Sequence, residues 1–142
     1  MKLSTKGRYG TRLMLELAKR YNEKQPILLR QIADKQDISL KYLEQIIILL
    51  KNAKLVRSIR GSKGGYMLSK PPKDVNILEI IEALEGDIDI VDCIGHPEMC
   101  NKVESCVTRE VWETISLRIK DSLRNISLKD LINKLQGELN EI

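Results

Sequence analysis

The hydrophobic period of this chain changes abruptly near its middle. In ISLKYLEQIIILLKNAK, residues 38–54, apolar side chains recur at spacings of 3, 4 and 3, as on one buried helix face, and Ser39 is a suitable N-cap. The next stretch, LVRSIRGSKGGYMLSKPP, predicts two short strands, residues 55–59 and 66–68, around a glycine-rich loop. A helix followed at once by a β-hairpin restricts the possible folds to a few.

The flanking segments extend this pattern. A first helix is predicted from about residue 5 to residue 21, with Thr5 as N-cap and Pro26 as the breaker, and a short helix lies within residues 28–36. Helix, short helix, helix and hairpin form the order of a winged helix-turn-helix. Asn76 with Glu79 predicts the capped start of another helix. The predicted fold class is therefore mostly α with a small β-wing.

Two apolar helix faces follow the central cysteines. Val111, Ile115, Ile119 and Leu123 recur at i, i+4 in a predicted helix over residues 107–124, with Trp112 beside them. Ser127 and Asp130 predict the start of a last amphipathic helix, which carries Leu128, Leu131, Ile132, Leu135 and Leu139. The core of so small a domain cannot absorb both faces, which favours a dimer interface; packing against the first helix is the alternative.

Charge divides the chain into two unequal parts. Residues 1–72 hold 16 Lys and Arg against 5 Asp and Glu, a net charge of +11, whereas residues 73–142 hold 8 against 15, a net charge of −7. A basic part joined to an acidic part is typical of a nucleic-acid-binding module attached to a region that does not touch phosphate. We therefore predict a DNA-binding domain in residues 1–72. Residues 73–142 would hold the loop that carries the cysteines, at about 92–106, and a helical dimerisation region.

Candidate DNA contacts lie on the third helix and on the hairpin. Side chains on the outer face of a recognition helix can bond base edges, and an Arg at a wing tip suits a narrow minor groove. Plain solvent-facing positions and a flexible basic turn are the alternative interpretation. The predicted DNA-binding residues are Lys41, Glu44, Gln45, Arg57, Arg60 and Lys63.

All three cysteines and the only histidine lie in one segment, CIGHPEMCNKVESC, residues 93–106. Its long Cys spacings differ from the tight C-x₂₋₄-C pattern of structural zinc sites and suit a loop around a larger inorganic core. A Cys₃His zinc site with His96, redox-active free thiols and inert thiols remain open as alternatives. An internal disulfide would leave one thiol over.

Four motifs together resemble a known family: LSTKGRYGTRLMLELA, ISLKYLEQIIILLKNAKLV, RSIRGSKGGYMLSK and the cysteine triplet before a Trp-bearing helix. They are similar to IscR-type iron–sulfur cluster regulators in the Rrf2 family of bacterial winged-helix transcription factors, over nearly the whole chain to about residue 137. The resemblance implies a homodimer with crossing helices and a 2Fe–2S cluster held by Cys93, Cys100 and Cys106. It also implies DNA contacts by Glu44, Gln45 and Arg60.

The fourth ligand of such a cluster departs from the family pattern. Many IscR-type proteins use a His three residues after the last Cys, where this chain has Arg109, and some relatives use a carboxylate near position 8 of the partner chain, where it has Arg8. We expect His96 to supply the fourth ligand, with Glu98 as the second choice. Asp92, Glu104 and an exogenous thiol are weaker candidates.

These patterns predict a DNA-binding transcriptional regulator, a repressor of a palindromic operator, that senses cluster supply or redox state. The iron–sulfur assembly machinery would supply the cluster. The alternatives are an iron–sulfur carrier or electron-transfer protein, or a zinc- or thiol-based regulator of the same fold. An enzyme is not expected, because one His and no paired catalytic carboxylates leave little to build a mechanism from. Without a signal-peptide pattern or an apolar run of roughly 20 residues, a cytoplasmic location is expected.

Overall fold

The structure is a computed structural model that describes residues 2–140, with side chains through residue 137. Helices and a single hairpin make up its regular elements, and short 3₁₀ turns connect several of them. Their order is α1 (Thr5–Lys19), α2 (Leu29–Gln36), α3 (Leu40–Asn52), β1 (Val56–Ile59), β2 (Gly65–Leu68), α4 (Ile77–Glu85), α5 (Asp92–Gly95), α6 (Val107–Arg124) and α7 (Leu128–Asn140). The expected winged helix-turn-helix order is confirmed.

The helix starts follow the capping residues. Ser39 accepts a hydrogen bond from the backbone N–H of Tyr42 over 3.1 Å and opens α3, as predicted. The predicted N-cap Thr5 is wrong by one residue, because Ser4 accepts from the N–H of Gly7 and Thr5 is already helical. Helix α1 also ends at Lys19 instead of at residue 21, where a 3₁₀ turn begins.

The wing is a two-stranded antiparallel sheet in which Val56 pairs with Leu68. It is tied to the segment before α2, because Ile27 and Tyr66 exchange backbone hydrogen bonds of 3.0 and 2.8 Å. Gly65 has φ +152°, and a Cβ there would lie 2.5 Å from the carbonyl oxygen of Ile27. A glycine is therefore required where the wing meets this segment.

One hydrophobic core joins the two parts of the chain. Leu13, Leu43 and Leu50 are buried in it together with Ile80 and Leu128 from the second part. Helices α1 and α4 pack closely, and a Cβ on Gly10 would overlap the side chain of Leu84. The division at residue 72 therefore stays a proposal about function, since both parts contribute to the same core.

The two C-terminal apolar faces have different surroundings. Helix α7 packs against α1, with Leu128 fully buried and Leu131 and Ile132 partly buried. In α6, Ile119 and Leu123 pack on the core, but the outward stripe of Val107, Val111 and Ile115 is 77%, 49% and 39% exposed. The side chain of Leu139 lies outside the described residues. No helix in the described range is both long and apolar enough to cross a bilayer.

Candidate DNA interface and cysteine loop

Helix α3 presents an exposed face of polar side chains and Ile48 opposite its core face. Leu43, Ile46, Ile47 and Leu50 are buried, whereas the predicted DNA-binding residues Lys41, Glu44 and Gln45 are exposed. Burial of the apolar side fixes the rotation of the helix, because turning it would expose that side to water. The three polar side chains are therefore held facing solvent.

The start of α1 borders this face and adds residues that the sequence analysis did not assign. Tyr42 and Gln45 line a shallow groove with residues 4–6 and Glu85. Tyr42 also packs edge-on against Tyr9, with ring centroids 5.8 Å apart, and the guanidinium groups of Arg8 and Arg12 lie 5.9 and 5.5 Å from the Tyr9 ring centroid. Arg8 and Arg12, which lie four residues apart and therefore on one face of α1, were the available signal.

The three basic candidates of the wing occupy two different places. Arg60 and Lys63 are exposed at the tip, where the N–H of Gly64 bonds the carbonyl of Gly61 over 3.0 Å. Arg57 lies instead on the outer face of β1, opposite Met67, and one of its Nη atoms is 3.9 Å from the Met67 sulfur. It lines a cavity of about 420 Å³ with Tyr21, Asn22, Lys24, Pro26, Ile59 and Met67.

The cysteine segment, which was expected to be a loop, contains two short helical turns, α5 and a 3₁₀ turn at Pro97–Met99. The thiols of Cys93, Cys100 and Cys106 are free and partly buried. His96 Nδ1 lies 3.4 Å from Glu98 Oε1, and both side chains are more than half exposed. Within residues 2–137, no three His, Cys, Asp or Glu side chains lie close enough together to form a metal site.

The segment that leads into the cysteine loop is fixed to α6. Ile88 is buried, and the backbone N–H of Ile90 donates to the hydroxyl of Ser116 over 3.2 Å. Asp89 forms an ion pair with Lys120, with 3.0 Å between Oδ1 and Nζ, and its side chain is only 9% exposed. The beginning of the loop therefore has a defined position relative to α6.

The end of the cysteine loop is the start of α6. The sulfur of Cys106 lies 3.2 Å from the Thr108 hydroxyl. This hydrogen bond, followed by one from the backbone N–H of Arg109, holds the pKa of the Cys106 thiol below its usual range. The Arg109 guanidinium donates over 3.4 Å to the carbonyl oxygen of Cys93, at the other end of the loop. Arg109 Nε is buried and has no partner among the described residues.

The donor set suits a 2Fe–2S cluster in number and type. Three thiols and one imidazole within residues 93–106 could provide two protein ligands for each iron. None of the residues 92–106 is buried, so the loop can gather its ligands without breaking the core. The unpartnered Arg109 Nε adds a cationic donor with no acceptor at the same place. The residues thus fit such a group, although their present positions are not gathered around one.

Comparisons with known proteins match this chain to transcriptional regulators. The family model for Rrf2, described as an iron-dependent transcriptional regulator, matches residues 3–134. The helix-turn-helix regulator CymR of Bacillus subtilis is 41% identical over 138 residues, which are 97% of this chain and 94% of CymR. The solved structure of that protein, described as the global cysteine regulator of B. subtilis, has a TM-score of 0.81 and 40% identity, and covers 94% of this chain and 98% of its own.

Proteins named IscR are also similar, with slightly lower identity and coverage. IscR of Pectobacterium atrosepticum is 38% identical over 133 residues, which are 94% of this chain and 80% of the relative. The solved structure of T. potens IscR has a TM-score of 0.77 and 37% identity, covering 95% of this chain and 88% of its own. The CymR and IscR relatives share this fold, and both are named as helix-turn-helix transcriptional regulators. Only CymR is described as a cysteine regulator among the relatives reported above.

Proposed function

Because this chain belongs to the Rrf2 family, we propose that it binds a palindromic operator as a homodimer, with α3 in the major groove and the wing beside it. Like its relatives, the chain is a helix-turn-helix transcriptional regulator and not an enzyme. Two copies related by a twofold axis would bind two half-sites about one helical turn, roughly 34 Å, apart. Repression of transcription in the cytoplasm is the simplest consequence.

Each candidate residue has a distinct part in this proposal. Gln45 bonds adenine, Glu44 accepts from cytosine or excludes other bases, and Lys41 bonds guanine or phosphate. Arg60 enters the minor groove from the wing tip, and Lys63 contacts phosphate. Arg57, on the flank of the wing, is assigned to phosphate alone. The supporting observation is that α3 and the wing tip expose these groups, while the opposite face of α3 is packed in the core.

DNA binding can be tested by fluorescence anisotropy with an operator duplex over a range of salt concentrations. Affinity should fall steeply as salt rises, since phosphate contacts release counterions. Arg60→Ala should cost roughly 1–3 kcal/mol if Arg60 makes a groove contact. Lys129→Ala, which removes an exposed charge from α7, is the matched control. Equal losses in the two variants would contradict the role of the wing.

For the sensing part, we propose that Cys93, Cys100, Cys106 and His96 hold one 2Fe–2S cluster in each chain, with Glu98 as the alternative fourth ligand. The iron–sulfur assembly machinery would supply it. A bound cluster supplies a redox-active group that is gained or lost with iron, oxygen or sulfur supply. The donor set in residues 93–106 and the unpartnered Nε of Arg109 support this assignment.

Cluster state can reach the DNA-binding surface through the segment between α4 and the loop. That segment follows Glu85, which bonds Ser4 beside α3, and continues to the contacts of Ile90 and Asp89 with α6. Ordering of the loop would therefore change the angle between the two wings of the dimer. Single Cys→Ala variants should lose the cluster and alter operator affinity, while the dimer persists.

Anaerobic purification with visible absorption, iron and sulfide analysis tests the cluster directly. A brown protein with iron and sulfide in equal amounts is expected from the wild type. A colourless protein with stoichiometric zinc would refute the cluster and support a zinc site. Identical DNA footprints for the loaded protein and the Cys→Ala variants would contradict sensing.

A thiol-based regulator without a cluster is the second candidate. It is favoured by the lowered pKa of Cys106, which increases the thiolate fraction at neutral pH, and by the similarity to a protein described as a cysteine regulator. In that case, metal-free protein should change its DNA affinity after mild oxidation, and Cys106→Ser should remove the response. An iron–sulfur carrier is not favoured, since the relatives are transcriptional regulators.

A further inference from the structure

Arg109 occupies a place where its positive charge opposes the macrodipole of α6. It is the third residue of α6, and the positive end of the helix macrodipole disfavours a cation in the first turn. Its ion pair with Glu113, one turn further along α6, is 3.4 Å long with Glu113 half exposed, and such a pair offsets little of this cost.

The contacts of Arg109 leave its guanidinium incompletely satisfied. One Nη atom donates to the carbonyl oxygen of Cys93 and the other to Glu113, both over 3.4 Å, at the long end of the hydrogen-bond range. The side chain is 20% exposed, while that of Glu113 is 48% exposed. Nε is buried with no acceptor among the described residues. A buried donor of this kind normally has an acceptor.

The location of this unsatisfied cation is specific. Its contact with the backbone of Cys93 joins the two ends of the cysteine loop, which are otherwise 13 residues apart in sequence. Cys106 lies at the end of the loop, directly before α6. The guanidinium thus contacts the backbone of one of the three cysteines, its charge helps to lower the pKa of the Cys106 thiol, and its Nε–H is left to donate.

We propose that Arg109 is a positioning residue that compensates the negative charge of the cysteine-bound cluster and donates hydrogen bonds to its sulfur atoms. The inference rests on the proposed 2Fe–2S site. Three thiolates outweigh the positive charge of the oxidised core, and reduction adds a further electron. A fixed cation beside the cluster stabilises both states, and the reduced state more.

The test uses the full chain, reconstituted anaerobically with iron and sulfide, and a redox titration followed by visible and circular dichroism spectra. Arg109→Gln should retain a cluster whose visible spectrum resembles that of the wild type, because Arg109 is not a ligand. Its reduction potential should fall, since the cation that favours the reduced state is gone. Cluster loss to a chelator should be about 10-fold faster, as for other residues that hydrogen-bond metal ligands.

Two further variants separate the effect of the charge at position 109 from the effects of net charge and of misfolding. Arg109→Lys keeps the charge and should retain most of the potential, while losing the planar fork. Arg118→Gln removes an exposed positive charge from the same helix, about 13 Å further along it, and should match the wild type. Thermal unfolding of the cluster-free proteins shows whether each variant is folded.

The outcomes distinguish the inference from the function on which it rests. A loaded Arg109→Gln protein with the wild-type potential and cluster lifetime would overturn the role of Arg109 and leave the cluster assignment intact. A potential that falls equally in Arg118→Gln would also overturn it, because the effect would then be one of net charge. A wild-type protein that takes up no iron would refute the proposed cluster and the inference together.

Discussion

The backbone N–H of Ser4 donates to Glu85 Oε1 over 2.7 Å and thereby connects the start of α1 to the end of α4 across 81 residues of sequence. The Ser4 hydroxyl donates to the same oxygen and also accepts from the N–H of Gly7. One serine thus caps α1 and holds the carboxylate of Glu85. Gly86, the next residue, starts the segment that leads to the cysteine loop, and Ser4 shares a groove with Gln45 of α3.

Removing this carboxylate should affect both stability and DNA binding. We expect Glu85→Ala to lower the free energy of unfolding by about 1 kcal/mol, because Ser4 loses a charged acceptor at a helix N-terminus. Operator affinity should also fall, since the start of α1 borders α3. Urea unfolding and fluorescence anisotropy measure the two effects. Glu82→Ala, at an exposed position of α4, is the control, and equal affinity in the two variants would argue against the connection.

Glu44 should determine sequence preference more than affinity. Its carboxylate is exposed on α3, and among phosphates it is costly unless it meets a base donor. We expect Glu44→Ala to bind the operator at least as tightly and to relax discrimination at one or two base pairs. A binding-site selection from a random duplex library measures this. An unchanged preference would indicate that Glu44 faces solvent in the complex.

The elements that sequence predicted well are those fixed by local interactions. The capping pairs Asn76–Glu79 and Ser127–Asp130 form reciprocal hydrogen bonds, as their spacing of three residues predicts. The apolar stripe of α3 was also evident, because a helix buries side chains at spacings of three and four. In these cases the partner lies within one or two turns of the chain.

The features that sequence did not predict depend on distant partners. Ser4 and Thr5 are both suitable N-cap residues. Ser4 is the N-cap in the structure, and it also bonds Glu85, which lies 81 residues along the chain. Two apolar faces were recognised after residue 106, but only the tertiary packing shows that α7 covers α1 while part of α6 stays exposed. The contact of Arg109 with the Cys93 carbonyl belongs to the same class.

The exposed stripe of α6 predicts the dimer interface. Ile115 lies at its C-terminal end, next to the core-packed Ile119, and a charge there would have to be buried between two chains at a large cost. We expect Ile115→Asp to give a folded monomer in light scattering after size-exclusion chromatography. Leu117→Asp changes another exposed apolar residue, on the opposite side of α6, and should remain dimeric. A dimeric Ile115→Asp protein would move the interface elsewhere.

Glu16 should make stability depend on acid pH. Burial alone would raise the pKa of this carboxyl, but hydrogen bonds from Lys19 and Lys35 outweigh it and hold the pKa below its usual range. Its contribution is therefore fully present above the unfolded pKa of about 4.3 and is lost as pH falls through the lower folded value. Urea unfolding between about pH 7 and pH 3 should show this loss.

The same contacts predict the effect of removing the charge of Glu16. We expect Glu16→Gln to lower the free energy of unfolding at pH 7 by roughly 1–2 kcal/mol, a modest figure because Lys35 is half exposed. The variant should also show a weaker acid dependence than the wild type. Glu23→Gln, at an exposed position, is the control. A parallel pH profile in Glu16→Gln and the wild type would exclude Glu16 as the cause.

His96 and Glu98 provide a direct comparison of the two candidate fourth ligands. Both side chains are exposed and paired only weakly, so either can turn toward the thiols without loss of core packing. We expect His96→Ala to lose or destabilise the cluster and Glu98→Ala to keep it, because a neutral imidazole adds no charge to a site that already holds three thiolates. Visible spectra and the rate of iron loss under anaerobic conditions measure the difference.

Imidazole ligation should also give the loaded wild type a pH-dependent reduction potential, which Glu98→Ala would retain. If His96→Ala keeps the wild-type spectrum and lifetime, the fourth ligand is a carboxylate or a residue of the partner chain.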